Sequence, residues 1–541
     1  MVERLRVFFV VKQEGNAKLH ISIHIFSFRY TTTMTPDEKL KHLENTLWTV
    51  ASQLWANGEL KPSEYTFPVL WLIFLKYADK IFQETTEKLI ANQKPNRFGT
   101  IEELTKTDYH KEGVVYMDEK ASYDYLLNQP EGTDYGKIIN EAMKVIEKDN
   151  PRLEWVLPKQ YWALSNDNLV KLLKTFTDLD QIEGDNFWLI YEYFMGKFES
   201  EWGQKGWEFF TPRSIVKLIV NIIEPFKGKI FDPACGSWGM FTQSLQYIKD
   251  HKDTDIVWNI SVYGQEIKTQ TIRLAQMNLA INGLEWDIRE WSSMYTDEHN
   301  SIGKFDYVMA NPPFNVSWID KEKINNDPRY SFGIPWSDNA NYLWIQIFAN
   351  ALKENTGRAW FVMANSASDA RNSELEIRKK LIEDGVVDVM VSVWPNFFYT
   401  VTLPCTLWFF DKSKKWTDRE KKVLFIDAKD IYRQVDRSHR EFTDDQIKEI
   451  TDIVQAYRQE EWTEQYEDVK GLCKVVSIDE VREQGYSLNP GRYVGVKDSE
   501  EEEYDFSERL QELTDELKQL SEESHGLESD IMSNVESLLD K

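Results

Sequence analysis

Three kinds of hydrophobic pattern follow one another along the chain. From 40 to about 90 apolar residues recur at helical spacing: Leu43, Leu47, Val50 and Leu54, then Phe67, Leu70, Ile73, Leu75 and Ala78. Pro62-Ser63-Glu64 marks a helix start between the two runs. Further helices are expected at 136–148, 168–177 and 187–198, with 96–129 as loops and short pieces. Past Lys229 the pattern changes to short apolar runs that alternate with helical ones. Segments 229–231, 260–264, 305–310, 357–363, 386–393 and 406–410 read as strands, the last two closing the sheet, and 286–294 as a third strand or its loop. Segments 214–220, 241–248, 271–282, 341–352 and 373–383 read as helices. Such alternation predicts an α/β domain. The third pattern is a heptad-like seam: Leu510, Leu513, Leu517 and Leu520, then Leu527, Ile531, Val535 and Leu538. A lone helix cannot bury that stripe. It folds back on its own domain or pairs with another chain, and the seam favours a partner.

These shifts divide the chain into a helical domain over 34–195, a catalytic domain over 196–430 and a helical region for assembly over 431–541. Residues 1–33 stand apart. They are basic and β-prone, without the apolar core or cleavage site of a signal peptide. Met34 opens the first helical pattern and is read as the natural start, the segment before it lying outside the fold.

Composition narrows the classes. No apolar run among the 541 residues is long enough to span a bilayer. Cys235, Cys405 and Cys473 lie too far apart for a disulfide framework or a metal motif, which points to a reducing cytoplasm and no metal. The net charge of −26 argues against a chain that grips nucleic acid alone, because phosphate neutralisation supplies most such affinity.

Two loops carry the candidate chemistry. The first, Asp232-Pro233-Ala234-Cys235-Gly236-Ser237-Trp238-Gly239, joins a strand to a helix, and its small residues let the backbone approach a ligand. The next strand ends in Glu266, where an acid binds ribose hydroxyls in nucleotide-type units. The second loop is Asn311-Pro312-Pro313-Phe314. Its prolines stop the strand abruptly. It offers an amide, prolyl carbonyls and an aromatic face to a planar ring carrying an NH₂ group; the plainer alternative is a turn with a packed Phe. Upstream, Glu208-Phe209-Phe210-Thr211-Pro212-Arg213 reads as a helix start with Thr211 as N-cap, either a seat for a carboxylate or an ordinary cap. The stretch from Trp394 to Tyr399 is core or a second wall for a ring. The loop at 316–340 is long enough for function or mobility.

With both loops in this order the chain resembles the modification (M) subunit of type I restriction–modification systems. These are S-adenosylmethionine-dependent adenine-N6 DNA methyltransferases with a Rossmann-like catalytic domain. The similarity includes the helical region around Pro62-Ser63-Glu64-Tyr65 and extends to Asn489-Pro490-Gly491-Arg492-Tyr493. It implies that Asp232, Gly236, Ser237, Trp238 and Gly239 lie against the methionine part of S-adenosylmethionine, with residues 208 to 213 closing over it. It also implies that Glu266 binds the ribose, and that Asn311, Pro312, Pro313 and Phe314 receive a flipped adenine. The partners implied are DNA, a specificity (S) subunit, a second M subunit and a restriction (R) subunit. Trp238 departs from the family, which usually has a small residue there. The acid expected after the third strand is not evident in Glu290-Trp291-Ser292-Ser293. An RNA or protein-glutamine methyltransferase, and a scaffold without catalysis, are the alternative readings.

Overall fold

The computed structural model describes residues 4–14, 18–28, 47–49, 62–94, 103–177, 193–194, 211–237, 239, 241, 244, 260–336, 338–398, 403–435, 439–459, 465–496 and 514. Arg4–Glu14 (β1) and Lys18–Phe28 (β2) form an antiparallel hairpin, a sheet of its own. The expected helices at 40–54 and 187–198 and the seam after 510 lie almost wholly outside the described residues.

The catalytic sheet is assembled from Gly228–Asp232 (β3), Ile260–Glu266 (β4), Glu285–Glu290 (β5), Tyr307–Ala310 (β6), Arg358–Ala364 (β7), Val387–Val393 (β8), Cys405–Asp411 (β9) and Lys422–Asp427 (β10). After a small hairpin of Arg433–Gln434 (β11) and Arg440–Glu441 (β12), Cys473–Ser477 (β13) completes it. The nine strands run in the order β13-β10-β8-β9-β7-β6-β3-β4-β5. β3 to β7 are mutually parallel, while β9 runs antiparallel to both β7 and β8. Strands such as Trp360-Phe361-Val362-Met363 and Leu407-Trp408-Phe409-Phe410 are apolar without alternation because both sheet faces are covered.

The sheet extends past the strands read as its last. β10 pairs with β8, and β13 pairs with β10. Residues 431–496 therefore contribute to this sheet and are not purely helical. The helix Asp444–Arg458 packs on the helix Arg213–Ile223 that leads into β3. Buried charges lock the two together. Asp388 on β8 is fully buried, bonded by Arg419 at 2.8 Å and Arg458 at 3.2 Å. Arg458 also donates to the Ile222 carbonyl.

The helical domain forms around Pro62–Asn92, Tyr135–Asp149 and Asn166–Phe176, whose apolar stripes meet at Leu70, Ile73, Ile139, Met143, Leu172 and Phe176. Leu274 and Met277, from the helix Thr269–Ile281 that connects β4 to β5, join the same core and so fasten this domain to the sheet. Two segments of the chain meet closely at Gly283, where an added Cβ would stand 2.9 Å from the Gly113 carbonyl.

Topology positions the site. From β3 the chain moves to β4 and β5 on one side, then crosses to β6 on the other. The crevice at the carboxyl ends of β3 and β6 is thus the switch point, where open α/β sheets bind ligands.

Candidate active site

β3 ends in Asp232, 7% exposed, which accepts a hydrogen bond from the Ala234 N–H at 2.9 Å. Burial pushes this carboxyl up to about 8; the Ala234 bond opposes the shift and the neighbouring Glu266 carboxylate adds to it. The chain then turns through Gly236 at φ +51°, in the left-handed region. That turn aims the Gly236 N–H at Glu266 Oε2, 3.3 Å away. The other oxygen of Glu266 accepts from Ile267 N at 2.8 Å and Lys268 N at 3.0 Å. Three backbone donors on one carboxylate hold it in a single orientation. Asn278 on the following helix donates to the Ser237 carbonyl at 2.7 Å, and Ser293 to the Pro233 carbonyl at 2.6 Å, so both halves of the loop are tethered.

The second loop leaves the adjacent strand. Ile230 stands opposite Tyr307 and Phe231 opposite Val308, on parallel strands about 4.8 Å apart. Asp232 and Met309 are therefore abreast, and Asn311 emerges beside the Asp232–Gly236 turn. Its Nδ2 donates to Thr211 Oγ1 at 3.0 Å, and Thr211 is buried. This corrects the reading of Thr211 as N-cap. The helix starts at Arg213, Pro212 is its N-cap, and no side chain caps it. The Thr211 hydroxyl instead accepts from Asn311 and sets the plane of that amide. Pro312 is buried, while Pro313 and Phe314 are half-buried, with Phe314 packed on both halves of the sheet core. Beyond them Asn315 N donates to Asn341 Oδ1 at 2.9 Å, and Asn341 Nδ2 returns a bond to Asn315 Oδ1 at 3.0 Å. The loop is clamped to the helix Asn341–Ala351.

One sheet edge thus gathers Thr211, Asp232, Gly236, Ser237, Glu266 and the residues from Asn311 to Phe314, with Pro212, Arg213 and Gly239 close to them in the chain. Glu208, Phe209, Phe210 and Trp238 lie outside the described residues.

Sequence reasoning missed several neighbours. β5 ends in Glu290, paired in register with Glu266, and Thr269 donates to its Oε1 at 2.7 Å. Glu290 is therefore an acid at the third strand's end. Ile267 and Trp291 each follow a strand-end acid and are 65% and 59% exposed, apolar surface beside the carboxylates. An apolar residue directly after a strand-end acid was the available signal. The 316–340 loop is tightly built. Buried Arg329 bonds the Ser293 carbonyl at 2.7 Å and Asp327 at 2.6 Å, and the Tyr330 hydroxyl donates to Met294 O at 2.6 Å. In the aromatic joint Phe397 and Phe398 are core, while Trp394 stays half-exposed under the Arg440 guanidinium, 5.6 Å from its ring centre. Among the described residues no group of His, Cys, Asp and Glu is placed to hold a metal ion, and no helix is long and apolar enough to cross a membrane.

The donor set fits S-adenosylmethionine. A fixed carboxylate with acceptor capacity left over suits a ribose hydroxyl, the glycine turn admits a main-chain-sized group, and a second carboxyl held neutral by burial gains from an incoming cation.

Comparison with known proteins agrees. The family described as N-6 DNA Methylase matches residues 182–502, and the one described as HsdM N-terminal domain matches residues 43–176. The chain is 38% identical over 524 residues to the type I restriction enzyme MjaIX methylase subunit of Methanocaldococcus jannaschii, covering 93% of this chain and 92% of that protein. It is 36% identical over 417 residues to the HindI methylase subunit of Haemophilus influenzae, covering 74% and 92%. A solved type I restriction–modification methyltransferase subunit from Streptococcus thermophilus has the same fold, with a TM-score of 0.68 at 22% identity over 84% of this chain and 99% of that one.

Proposed function

Because the chain belongs to the N-6 DNA methylase family, among the type I restriction methylase subunits, we propose that Asn311, Pro312, Pro313 and Phe314 receive the adenine whose N6 it methylates. In the same reading Asp232, Gly236, Ser237, Gly239 and Glu266 hold the methyl donor, with Trp238 and residues 208 to 213 beside it. S-adenosylmethionine, when bound, supplies a methyl group on a sulfonium, so the protein needs neither a covalent intermediate nor a metal.

The work left to the chain is to make N6 nucleophilic and to aim it. The nitrogen lone pair of adenine is spread into the ring. Hydrogen bonds from N6 to the Asn311 amide oxygen and the Pro312 carbonyl favour a tetrahedral nitrogen and localise that pair, stabilising the charge that develops in the transition state. Holding N6 in line with the methyl supplies the orientational part. Phe314 offers its face to the extruded base, which offsets part of the cost of leaving the duplex, about 1–3 kcal/mol for a base–aromatic stack.

The observation that carries this reading is the Asn311–Thr211 hydrogen bond beside the Asp232–Glu266 loop. In this reading Nδ2 is engaged by Thr211 and the buried amide oxygen is the acceptor, the polarity that an NH₂ group requires. The test is Asn311→Ala. Methyl transfer to DNA drops about a hundredfold or more, while S-adenosylmethionine binding by calorimetry stays at the wild-type level. Wild-type turnover in that variant removes the mechanism.

The chain acts within a type I restriction–modification complex on DNA, which gives it a cytoplasmic place. With a net charge of −26 it leaves most of the DNA grip to its partners. The specificity subunit supplies the sequence reading, a second copy of this chain completes the methyltransferase, and a restriction subunit is a further partner. The RNA, protein-glutamine and scaffold readings have no comparable support.

A further inference from the structure

Four residues past Phe314 the chain presents a tryptophan to solvent. Trp318 is 91% exposed, and its backbone sits at φ +64°, a left-handed conformation that is strained for a bulky side chain. The strain is held in place. Asp338 Oδ1 accepts from Trp318 N at 2.7 Å and from Ile319 N at 3.2 Å. Ala340 N donates to the Val316 carbonyl at 3.0 Å, and Val316 and Ile319 both pack on the core. Two anchored aliphatic residues thus flank the indole and turn it outward. Trp336, 86% exposed, belongs to the same loop: its N–H bonds Ser373 Oγ at 2.7 Å, and its carbonyl accepts from Lys321 Nζ at 2.8 Å.

Position separates this tryptophan from the others. Trp155 and Trp416 are also exposed in left-handed backbone. Trp416, however, lies between β9 and β10 at the amino edge of the sheet, and Trp155 lies in the helical domain under the Lys159 ammonium. Trp318 leaves the carboxyl edge, directly after the loop that ends in Phe314. By chain length alone its Cα is within about 14 Å of that of Phe314.

An adenine that leaves a duplex opens a gap in the stack. Apolar side chains can enter such a gap and hold the kinked state. The geometry points to Trp318 as that side chain: a wedge, rooted by Asp338, that enters the DNA stack when the target adenine moves toward Asn311. Lys321 and Lys323 on the following turn are held within the loop, by the Trp336 carbonyl and by Asp320, so the indole and not charge carries the contact. Trp318 is a positioning residue, since it touches the DNA around the target and not the reacting atoms. This inference rests on the adenine-methylating reading of the site.

The test uses the complex purified after co-expression with the specificity partner. Methyl transfer is measured on the cognate duplex and on the same duplex with an abasic site opposite the target adenine, where the base is already unpaired. Trp318→Ala loses about tenfold or more on the intact duplex, the scale of one aromatic–base stack, and returns to within about twofold of wild type on the abasic duplex. Trp318→Phe keeps most of the duplex rate. Equal loss on both substrates, or no loss on either, overturns the wedge. So does failure of Trp318→Ala to co-elute with the specificity partner, which would make Trp318 a protein contact. A wild-type complex inactive on both duplexes would count against adenine methylation itself, a result distinct from a defect confined to the variant.

Discussion

Asn311 and Thr211 lie 100 residues apart in the chain and are joined by one hydrogen bond, from Nδ2 to Oγ1 at 3.0 Å. In the proposed reading that bond holds the amide with its nitrogen toward Thr211 and its oxygen toward the adenine. Thr211→Ala lowers the rate of methyl transfer roughly tenfold, the worth of one orienting hydrogen bond, with S-adenosylmethionine affinity unchanged. Thr211→Ser keeps the hydroxyl and most of the rate. Steady-state kinetics on the duplex substrate, with the fold checked by circular dichroism, reads the difference.

Asp232 carries a pH dependence of definite sign. Its carboxyl rises from an ordinary 3.8 to about 8 in the folded protein. Between those values the native state keeps a proton that the unfolded state has released, so this group's contribution to stability falls as pH rises through that window. A cation binding beside it favours the ionised form and expels the proton. S-adenosylmethionine affinity therefore increases with pH up to about 8. Calorimetry at pH 7 in buffers of different ionisation enthalpy reports proton release in wild type and none in Asp232→Asn. A flat wild-type profile contradicts this account.

The buried charges under β8 test the packing of the segment after 431. Arg458→Ala leaves Asp388, fully buried, with Arg419 as its ion-pair partner and removes the bond to the Ile222 carbonyl. Because Arg419 still compensates Asp388, the loss is smaller than the roughly 3–5 kcal/mol of leaving a buried charge unpaired. A lower denaturant midpoint is expected, with the slope of the transition retained.

Gly283 tests the seam between the helical domain and the sheet. It sits at φ +72°, and a Cβ there would meet the Gly113 carbonyl at 2.9 Å. Gly283→Ala combines left-handed strain of about 1–2 kcal/mol with a displaced contact. Faster proteolysis near residue 113, at unchanged composition of the catalytic core, is the expected readout.

Much of the candidate site was legible because its signals are local. A glycine turn between strand and helix, an acid at the end of the next strand and a double proline after an apolar run each declare themselves within a few residues. The Glu290 side chain escaped notice because nothing in Glu290-Trp291-Ser292-Ser293 says where β5 stops; pairing with β4 sets that end. β13 was missed for a related reason. Cys473-Lys474-Val475-Val476-Ser477 is short and half-polar, and it becomes a strand because β10 offers it an edge. Thr211-Pro212 reads locally as a cap, and a partner from a distant strand overrides that preference.

By itself, the order of residues determined the class of fold, the two chemical loops and the strands that end in them. Those follow from backbone sterics and hydrophobic period, which act within one element. Folding alone decided that β3 and β6 lie side by side, that the hydroxyl of residue 211 meets the amide of residue 311, and that a carboxyl at 232 is sealed from water. These depend on contacts between segments remote in the chain, and the burial that changes the chemistry of a group exists only once its neighbours have closed around it.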